Sequence, residues 1–145
     1  MQIRPFISIL LILLALFSCR KEAPLPASPE ADGFVLKVPQ GFPQPDIPKD
    51  NLLSSSRVAL GRRLFYDPVL SRDSTRSCAS CHFAGRAFSD STAVSFGIEG
   101  RAGVRNSPML ANVAYQKKLL REANLPTLEM QVLVPIQEHH EFDFN

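Results

Sequence analysis

The sequence predicts an all-α fold in which short helices are joined by long irregular loops, and three observations support this prediction. Apolar residues recur at helical three- and four-residue spacing in only a few segments. No segment alternates apolar and polar residues as a strand does, and no internal repeat is present. Twelve prolines and seven glycines interrupt the chain, which favours loops between the helical segments.

The composition describes a chain that can bury one modest core. The sequence has 145 residues, of which 45% are hydrophobic and 21% are charged, so we expect a single domain. Its 16 basic and 14 acidic residues give a formal net charge of +2. Because the charges nearly balance, the sequence predicts no nucleic-acid partner.

The first residues have the features of an export signal. Arg4 precedes the apolar run ISILLILLALFS, which is too short to span a bilayer comfortably. The run leads into Cys19, in a context that resembles the lipobox of bacterial lipoproteins. We therefore predict a signal peptide over residues 1–18, lipidation of Cys19, and a periplasmic or cell-envelope protein that contacts the membrane only through this lipid. An ordinary cleaved signal with a leftover cysteine is the alternative.

Residues 19–50 are predicted to form an extended tether. Seven of the twelve prolines lie in this stretch, and proline fixes φ and withholds a backbone N–H. The domain that follows is predicted to cover residues 51–145.

Three helices are predicted in this domain. Serines 54–56 cap the first, over residues 57–67, which the Asp67-Pro68 pair ends. Ser107 and Pro108 are expected to open the second, over residues 108–120. The third is expected to run between two prolines, opened by Pro126 and closed by Pro135, and the glycine-rich segment 97–103 is predicted to be an irregular loop.

The stretch SCASCHFAGRAF holds Cys78, Cys81 and His82 within five positions. This pattern is compatible with a redox dithiol, half of a zinc site or a covalently attached haem. A structural zinc site needs four ligands, and the adjacent His139 and His140 lack the usual spacing of a histidine pair. A thioredoxin-like dithiol follows a buried strand, whereas the residues before Cys78 form a polar turn.

A c-type haem accounts for all five positions of the CxxCH motif. Two cysteines one helical turn apart reach the two vinyl groups on one porphyrin edge, and the histidine that follows reaches the iron. The sequence therefore favours a cytochrome c-like haem domain, with Cys78 and Cys81 as attachment residues and His82 as the proximal iron ligand. Export agrees with this interpretation, because bacteria attach c-type haem outside the cytoplasm.

Three segments resemble the N-terminal haem domain of the bacterial dihaem cytochrome c peroxidase family, which includes MauG: LGRRLFYDPVLSRDSTRSCASCHFAGRAFSD, GVRNSPMLANVAY and LEMQVLVPIQEHHEF. The resemblance covers about residues 41–145. It implies the peroxidatic haem of an enzyme that reduces hydrogen peroxide to water with electrons from a small cytochrome c or copper protein. The family carries a second CxxCH haem further along the chain. We therefore interpret this sequence as part of a longer protein with two haems, homodimeric when complete.

The resemblance also implies roles for four further residues. Glu141 matches the family's catalytic glutamate, which moves a proton between the peroxide oxygens, and Gln131 matches a glutamine that orients the peroxide. Arg105 is expected to contact a haem propionate, and Asn106 matches a residue that helps to bind calcium. Without the resemblance, each of these side chains would be interpreted as an ordinary solvated or loop residue.

The sequence departs from the family in two places. The loop SFGIEGRAGVRN has no histidine, where many members use one to close the peroxidatic iron, and the chain has no tryptophan to lie between the haems. An open iron follows from the first departure, unless His139 or His140 supplies a sixth ligand. Three alternatives remain: a monohaem electron carrier with Met109 or Met130 as ligand, a haem-based sensor or scaffold, and a MauG-like oxidation of a protein substrate.

Overall fold

The computed structural model describes residues 32–122 and 124–144. Helix α1 covers Ser55–Tyr66 and helix α2 covers Leu128–Gln137. Within the described ranges the rest of the chain forms loops, three isolated β-bridges and short 3-10 turns at Pro68–Leu70, Cys78–Ser80, Ala84–Arg86, Ile98–Gly100 and Val113–Tyr115. The predicted all-α fold class is confirmed. The predicted signal peptide and Cys19 lie outside the described residues.

Helix α1 forms where the sequence predicts it. The Ser54 hydroxyl is buried and accepts the Arg57 N–H at 3.2 Å, which caps the first turn. The helix ends at Tyr66, because Asp67 is extended and a proline follows it. On its inner side, the Phe65 ring meets the ring of Phe88 edge-on at 5.8 Å. Helix α1 therefore packs against the segment that contains the CxxCH motif.

Helix α2 begins and ends later than predicted. Thr127, and not Pro126, is its cap, since the Thr127 hydroxyl accepts the Met130 N–H at 3.2 Å. Pro135 lies inside the helix, which continues to Gln137. A proline near the end of a helix removes only one hydrogen bond of the final turns, so the prediction that Pro135 closes α2 is wrong.

The helix predicted over residues 108–120 does not form, apart from one 3-10 turn. Two N–H groups at its start are bonded to distant segments. The Ser107 N–H, just before the predicted helix, donates to the Asp90 carboxylate at 3.3 Å, and the Leu110 N–H donates to the Ala87 carbonyl at 3.2 Å. These long-range bonds compete with the local helical signals at the start of the segment.

The described part of the predicted tether, residues 32–50, has no helix or strand, yet it contacts the domain. The Asp32 carboxylate accepts the Ser55 N–H at 2.9 Å, and the Phe42 ring lies 5.5 Å from the Tyr115 ring. The boundary at residue 51 stays a prediction. No helix in the described ranges is long and apolar enough to cross a membrane.

Candidate haem site

The CxxCH motif closes into a single turn, residues 78–82, which we call the CxxCH turn. The Cys81 and His82 N–H groups both donate to the Cys78 carbonyl, at 3.2 and 3.0 Å. A further hydrogen bond stabilises the turn: the N–H of Ser77, the residue before it, donates to the Ser80 hydroxyl at 3.1 Å. Both cysteines are free thiols and half-buried. The two sulfur-bearing residues are thus held one turn apart by bonds within the motif.

The His82 ring is oriented by the chain that follows it. Its Nδ1 lies 2.7 Å from the Phe88 carbonyl oxygen. A carbonyl can only accept, so Nδ1 carries the proton of the neutral ring and Nε2 keeps a free lone pair. Ala87 and Phe88 both adopt left-handed backbone angles, which turn that carbonyl toward the ring. This is the arrangement that prepares an imidazole to bind iron through Nε2.

Burial raises the pKa of the Cys78 and Cys81 thiols. They stay protonated at neutral pH, whereas a redox dithiol depends on a lowered thiol pKa. A zinc site also finds little support, since no group of three or more His, Cys, Asp or Glu side chains in the described residues is arranged to hold a metal ion. The geometry of the CxxCH turn thus favours haem attachment over the other two interpretations.

The apolar surface of the domain also fits a large apolar cofactor. Only three hydrophobic residues of the described ranges are buried, namely Ile98, Leu119 and Phe142. Many large apolar side chains are instead exposed, and Val104 is the extreme at 83%. A haem held by Cys78, Cys81 and His82 would add apolar burial to this small core.

The predicted irregular loop before Arg105 folds as a hairpin, residues 95–105, which we call the glycine hairpin. Ser95 and Arg105 bond at its base, with the Ser95 N–H donating to the Arg105 carbonyl at 2.9 Å, and Gly97 and Arg101 bond nearer its tip at 2.9 Å. Its base is fixed by Asp90, whose carboxylate accepts the Ser95 hydroxyl. The hairpin carries its tip toward the segment that contains Glu141.

Residues 138–144, which we call the Glu141 loop, fold back over the end of α2. The Phe142 N–H donates to the Pro135 carbonyl at 3.1 Å, so the loop supplies a partner that the last helical turn lacks. From the other side, the Ile98 N–H of the glycine hairpin donates to the Glu141 carbonyl at 2.9 Å. The backbone of Glu141 is therefore held between α2 and the hairpin.

The glycine hairpin brings the Glu141 backbone near the CxxCH turn, because the Phe96 carbonyl oxygen lies 3.9 Å from Cys81 Sγ and the Ile98 N–H donates to the Glu141 carbonyl. Although Glu141 is an exposed residue, partial desolvation raises the pKa of its carboxyl, and the Glu138 carboxylate adds to this effect. The Glu141 carboxylate in turn contributes to the raised pKa of both Cys78 and Cys81. The Glu141 carboxyl and the two cysteines therefore belong to the same part of the domain.

The positions of the other predicted site residues do not by themselves indicate a role. Gln131 is half-buried on α2, one turn before Pro135. Arg105 is ion-paired with Glu122, and Asn106 is exposed beside it. Their roles toward peroxide, propionate and calcium stay predictions.

Both histidines of the Glu141 loop face carboxylates. His139 Nδ1 lies 3.2 Å from an oxygen of Asp143, and His140 Nδ1 lies 3.1 Å from an oxygen of Glu138. Both contacts use Nδ1, so they leave iron binding through Nε2 as a sixth ligand open for either ring. The other residues considered for that position, Met109 and Met130, are both exposed.

Sequence reasoning missed the side chains that support the Glu141 loop. Asp143 is buried and forms ion pairs with Arg72 and Arg101. Gly97 is also part of the support, because the loop backbone packs directly on it. No local pattern indicates these contacts, since they join three segments that are distant in the sequence.

Comparison with known proteins agrees with a haem-binding role for the CxxCH turn. The sequence model of the family described as di-haem cytochrome c peroxidase matches residues 55–145. Cytochrome-c peroxidase IdrP1 of Pseudomonas sp. (strain SCT) is 39% identical over 90 residues, which are 62% of this chain and 24% of that protein. Methylamine utilization protein MauG of Methylophilus methylotrophus is 33% identical over 107 residues, 72% of this chain and 32% of that protein.

Solved structures show the same likeness. A MauG-like protein associated with microbial copper homeostasis superposes with a TM-score of 0.67 at 41% identity, over 71% of this chain and 30% of that one. The diheme peroxidase BthA from Burkholderia thailandensis E264 gives a TM-score of 0.57 at 32% identity, over 62% of this chain and 27% of that one. The chain thus spans between a quarter and a third of the length of these relatives.

Proposed function

Because this chain belongs to the di-haem cytochrome c peroxidase family, we propose that it is the peroxidatic haem domain of an enzyme that reduces hydrogen peroxide to water. The observation that carries the proposal is that the glycine hairpin joins Glu141 to the CxxCH turn: the Phe96 carbonyl oxygen lies 3.9 Å from Cys81 Sγ, and the Ile98 N–H donates to the Glu141 carbonyl at 2.9 Å. In the same turn, His82 keeps Nε2 free, since Nδ1 is bonded to the Phe88 carbonyl. Under this proposal His82 is the proximal ligand and Glu141 is the acid/base.

One covalent haem c would be held by thioether bonds to Cys78 and Cys81, with His82 as proximal ligand. When bound, the haem supplies the iron and the redox equivalents that cleave the O–O bond. The overall reaction consumes one peroxide, two electrons and two protons and yields two water molecules. The polypeptide must therefore place a proton carrier beside the peroxide.

Glu141 is proposed as this proton carrier. A carboxyl with a raised pKa takes a proton from one peroxide oxygen and returns it to the other as that oxygen leaves, and such transfer is most efficient when the pKa lies near the working pH. Gln131 would orient the peroxide, since its amide N–H can donate a hydrogen bond to an oxygen. Both residues belong to one structural unit, formed by α2 and the Glu141 loop.

The remaining assignments are proposed on family grounds. A second haem and a small cytochrome c or copper protein would supply the electrons, and Asn106 would contribute to a calcium site. A cell-envelope location with a lipid on Cys19 fits the c-type haem. Because MauG proteins are among the relatives, a protein substrate oxidised at the same haem is the second candidate function.

The test is the second-order rate constant for the reaction of the haem-loaded protein with hydrogen peroxide, followed by stopped-flow absorption at the Soret band. Glu141→Gln keeps the shape of the side chain and removes the titratable proton, so we expect the rate constant to fall by about 10²- to 10⁴-fold. Glu129→Gln is the matched control, because Glu129 lies on α2 and bonds the exposed Asn51 side chain. An unchanged rate constant in Glu141→Gln would remove Glu141 from the mechanism.

A further inference from the structure

Asp143 is the point at which three segments of the chain meet. Its Oδ2 lies 2.8 Å from Nη1 of Arg101 in the glycine hairpin and 3.1 Å from Nη1 of Arg72. Arg72 belongs to the polar turn that leads into the CxxCH turn. Asp143 itself is only 8% exposed. One buried carboxylate of the Glu141 loop thus links that loop to the hairpin and to the haem-attachment segment.

The same two arginines also hold the backbone on both sides of Glu141. The Arg101 side chain donates to the His139 carbonyl at 2.8 Å, and the Arg72 N–H donates to the Phe142 carbonyl at 3.0 Å. A second acidic residue, Glu99, pairs with both arginines and fixes them relative to each other. The four charges form a closed cluster around the base of the Glu141 loop.

We propose that Asp143 is a positioning residue, which holds the Glu141 carboxylate against the CxxCH turn through its ion pairs with Arg72 and Arg101. The inference rests on the proposed function of Glu141. A proton carrier works only within hydrogen-bond reach of the reacting oxygen, and small displacements are costly in rate. Removing the buried carboxylate breaks the ion pairs that join the loop to Arg72 and Arg101, so loss of the Asp143 charge should release the loop.

The test compares Asp143→Asn with the unsubstituted haem-loaded protein. The asparagine keeps the size of the side chain and removes its charge. We expect covalent haem content and the resting absorption spectrum to stay unchanged, because the CxxCH turn does not depend on Asp143. The rate constant with peroxide should fall by at least about tenfold. Asp67→Asn is the matched control, since Asp67 forms an ion pair with Arg63 on the exposed side of α1.

The pH profile separates positioning from a merely structural role. Desolvation raises the pKa of Glu141, and Glu138 is its charged neighbour on the same loop. In the haem-loaded protein the sulfurs of Cys78 and Cys81 are bound as thioethers, so they do not titrate. When the loop is released into solvent, the pKa of Glu141 should fall, and the acid limb of the rate profile should move to lower pH. A loss of stability alone would leave that limb in place.

A double-substitution cycle completes the test. Glu141→Gln combined with Asp143→Asn should be no slower than Glu141→Gln alone, because one residue acts through the other. Arg72→Gln, which leaves the Arg101–Asp143 pair intact, provides a milder variant if Asp143→Asn folds poorly, and it should move the acid limb in the same direction. Additive losses, or an unmoved acid limb in both variants, would overturn the positioning role. A Glu141→Gln variant as fast as the unsubstituted protein would overturn the proposed function as well.

Discussion

At the scale of single residues, Gly97 is a position at which the packing of the backbone leaves no room for a side chain. A Cβ atom added at Gly97 would overlap the backbone oxygens of His140 and Glu141, and backbone atoms cannot swing aside as a flexible side chain can. The Gly97 carbonyl also accepts the Arg76 guanidinium at 3.0 Å, just before the CxxCH turn. The glycine therefore lets the Glu141 loop approach the haem-attachment segment closely.

Gly97→Ala should displace the Glu141 loop. We expect a lower melting temperature and a slower reaction with peroxide, with covalent haem attachment retained, because the methyl group acts on the loop and not on the cysteines. Absorption spectroscopy, thermal unfolding and stopped-flow measurements check these three expectations. Gly61→Ala is the control, since a Cβ at Gly61 in α1 meets open space and should stabilise the helix by about 0.5–1 kcal/mol. Identical behaviour of the two variants would contradict the close approach at Gly97.

At the scale of elements, α2 carries one proposed site residue, Gln131, and precedes the loop that carries the other, Glu141. It begins at the Thr127 cap, carries Gln131 and leads directly into the Glu141 loop. The helix is short and has no buried residue, so its end caps contribute a large share of its stability. A weakened first turn should therefore lower the stability of both α2 and the Glu141 loop.

Thr127→Ala removes the hydroxyl that accepts the Met130 N–H. We expect the free energy of unfolding to fall by about 1 kcal/mol, the usual value for a lost helix cap. Urea denaturation of the haem-loaded protein measures this difference. Thr127→Ser keeps the hydroxyl and should stay close to the unsubstituted protein, whereas an equal loss in both variants would show that the cap bond is not responsible.

The elements also show how far the sequence could predict this fold. Helix α1 was predictable because its signals are local, namely the Ser54 cap, the apolar spacing and Pro68. The helix expected over 108–120 does not form, and at its start the Ser107 and Leu110 N–H groups are bonded to Asp90 and Ala87, which no local pattern indicates. The site divides in the same way: the CxxCH turn is a local motif, whereas the Asp143 cluster exists only once distant segments have packed together.

At the scale of the whole molecule, the described residues 32–122 and 124–144 form only a small core. Three buried hydrophobic residues in the described ranges are few for a domain of this length, and burial of apolar area is the main term that offsets chain entropy. A covalent haem enclosed by the exposed apolar side chains would supply the missing core. Folding and cofactor attachment should therefore be coupled.

The haem-free protein is expected to lack cooperative folding. Cys78→Ser combined with Cys81→Ser prevents attachment without changing the size of the side chains greatly. We expect no cooperative thermal transition in this variant by circular dichroism or calorimetry, whereas the haem-loaded protein should melt in one step. A sharp transition with a large enthalpy in the haem-free variant would show that the polypeptide holds a sufficient core of its own.

The central claim is that the haem iron held by His82 keeps an open position beside Glu141. The absorption spectrum of the ferric haem-loaded protein, recorded before and after addition of hydrogen peroxide, tests it most directly. We expect a high-spin spectrum whose Soret band shifts when peroxide is added. A low-spin spectrum that peroxide leaves unchanged would contradict the claim, because it would show that Met109, Met130, His139 or another side chain closes the iron and that the domain is an electron carrier.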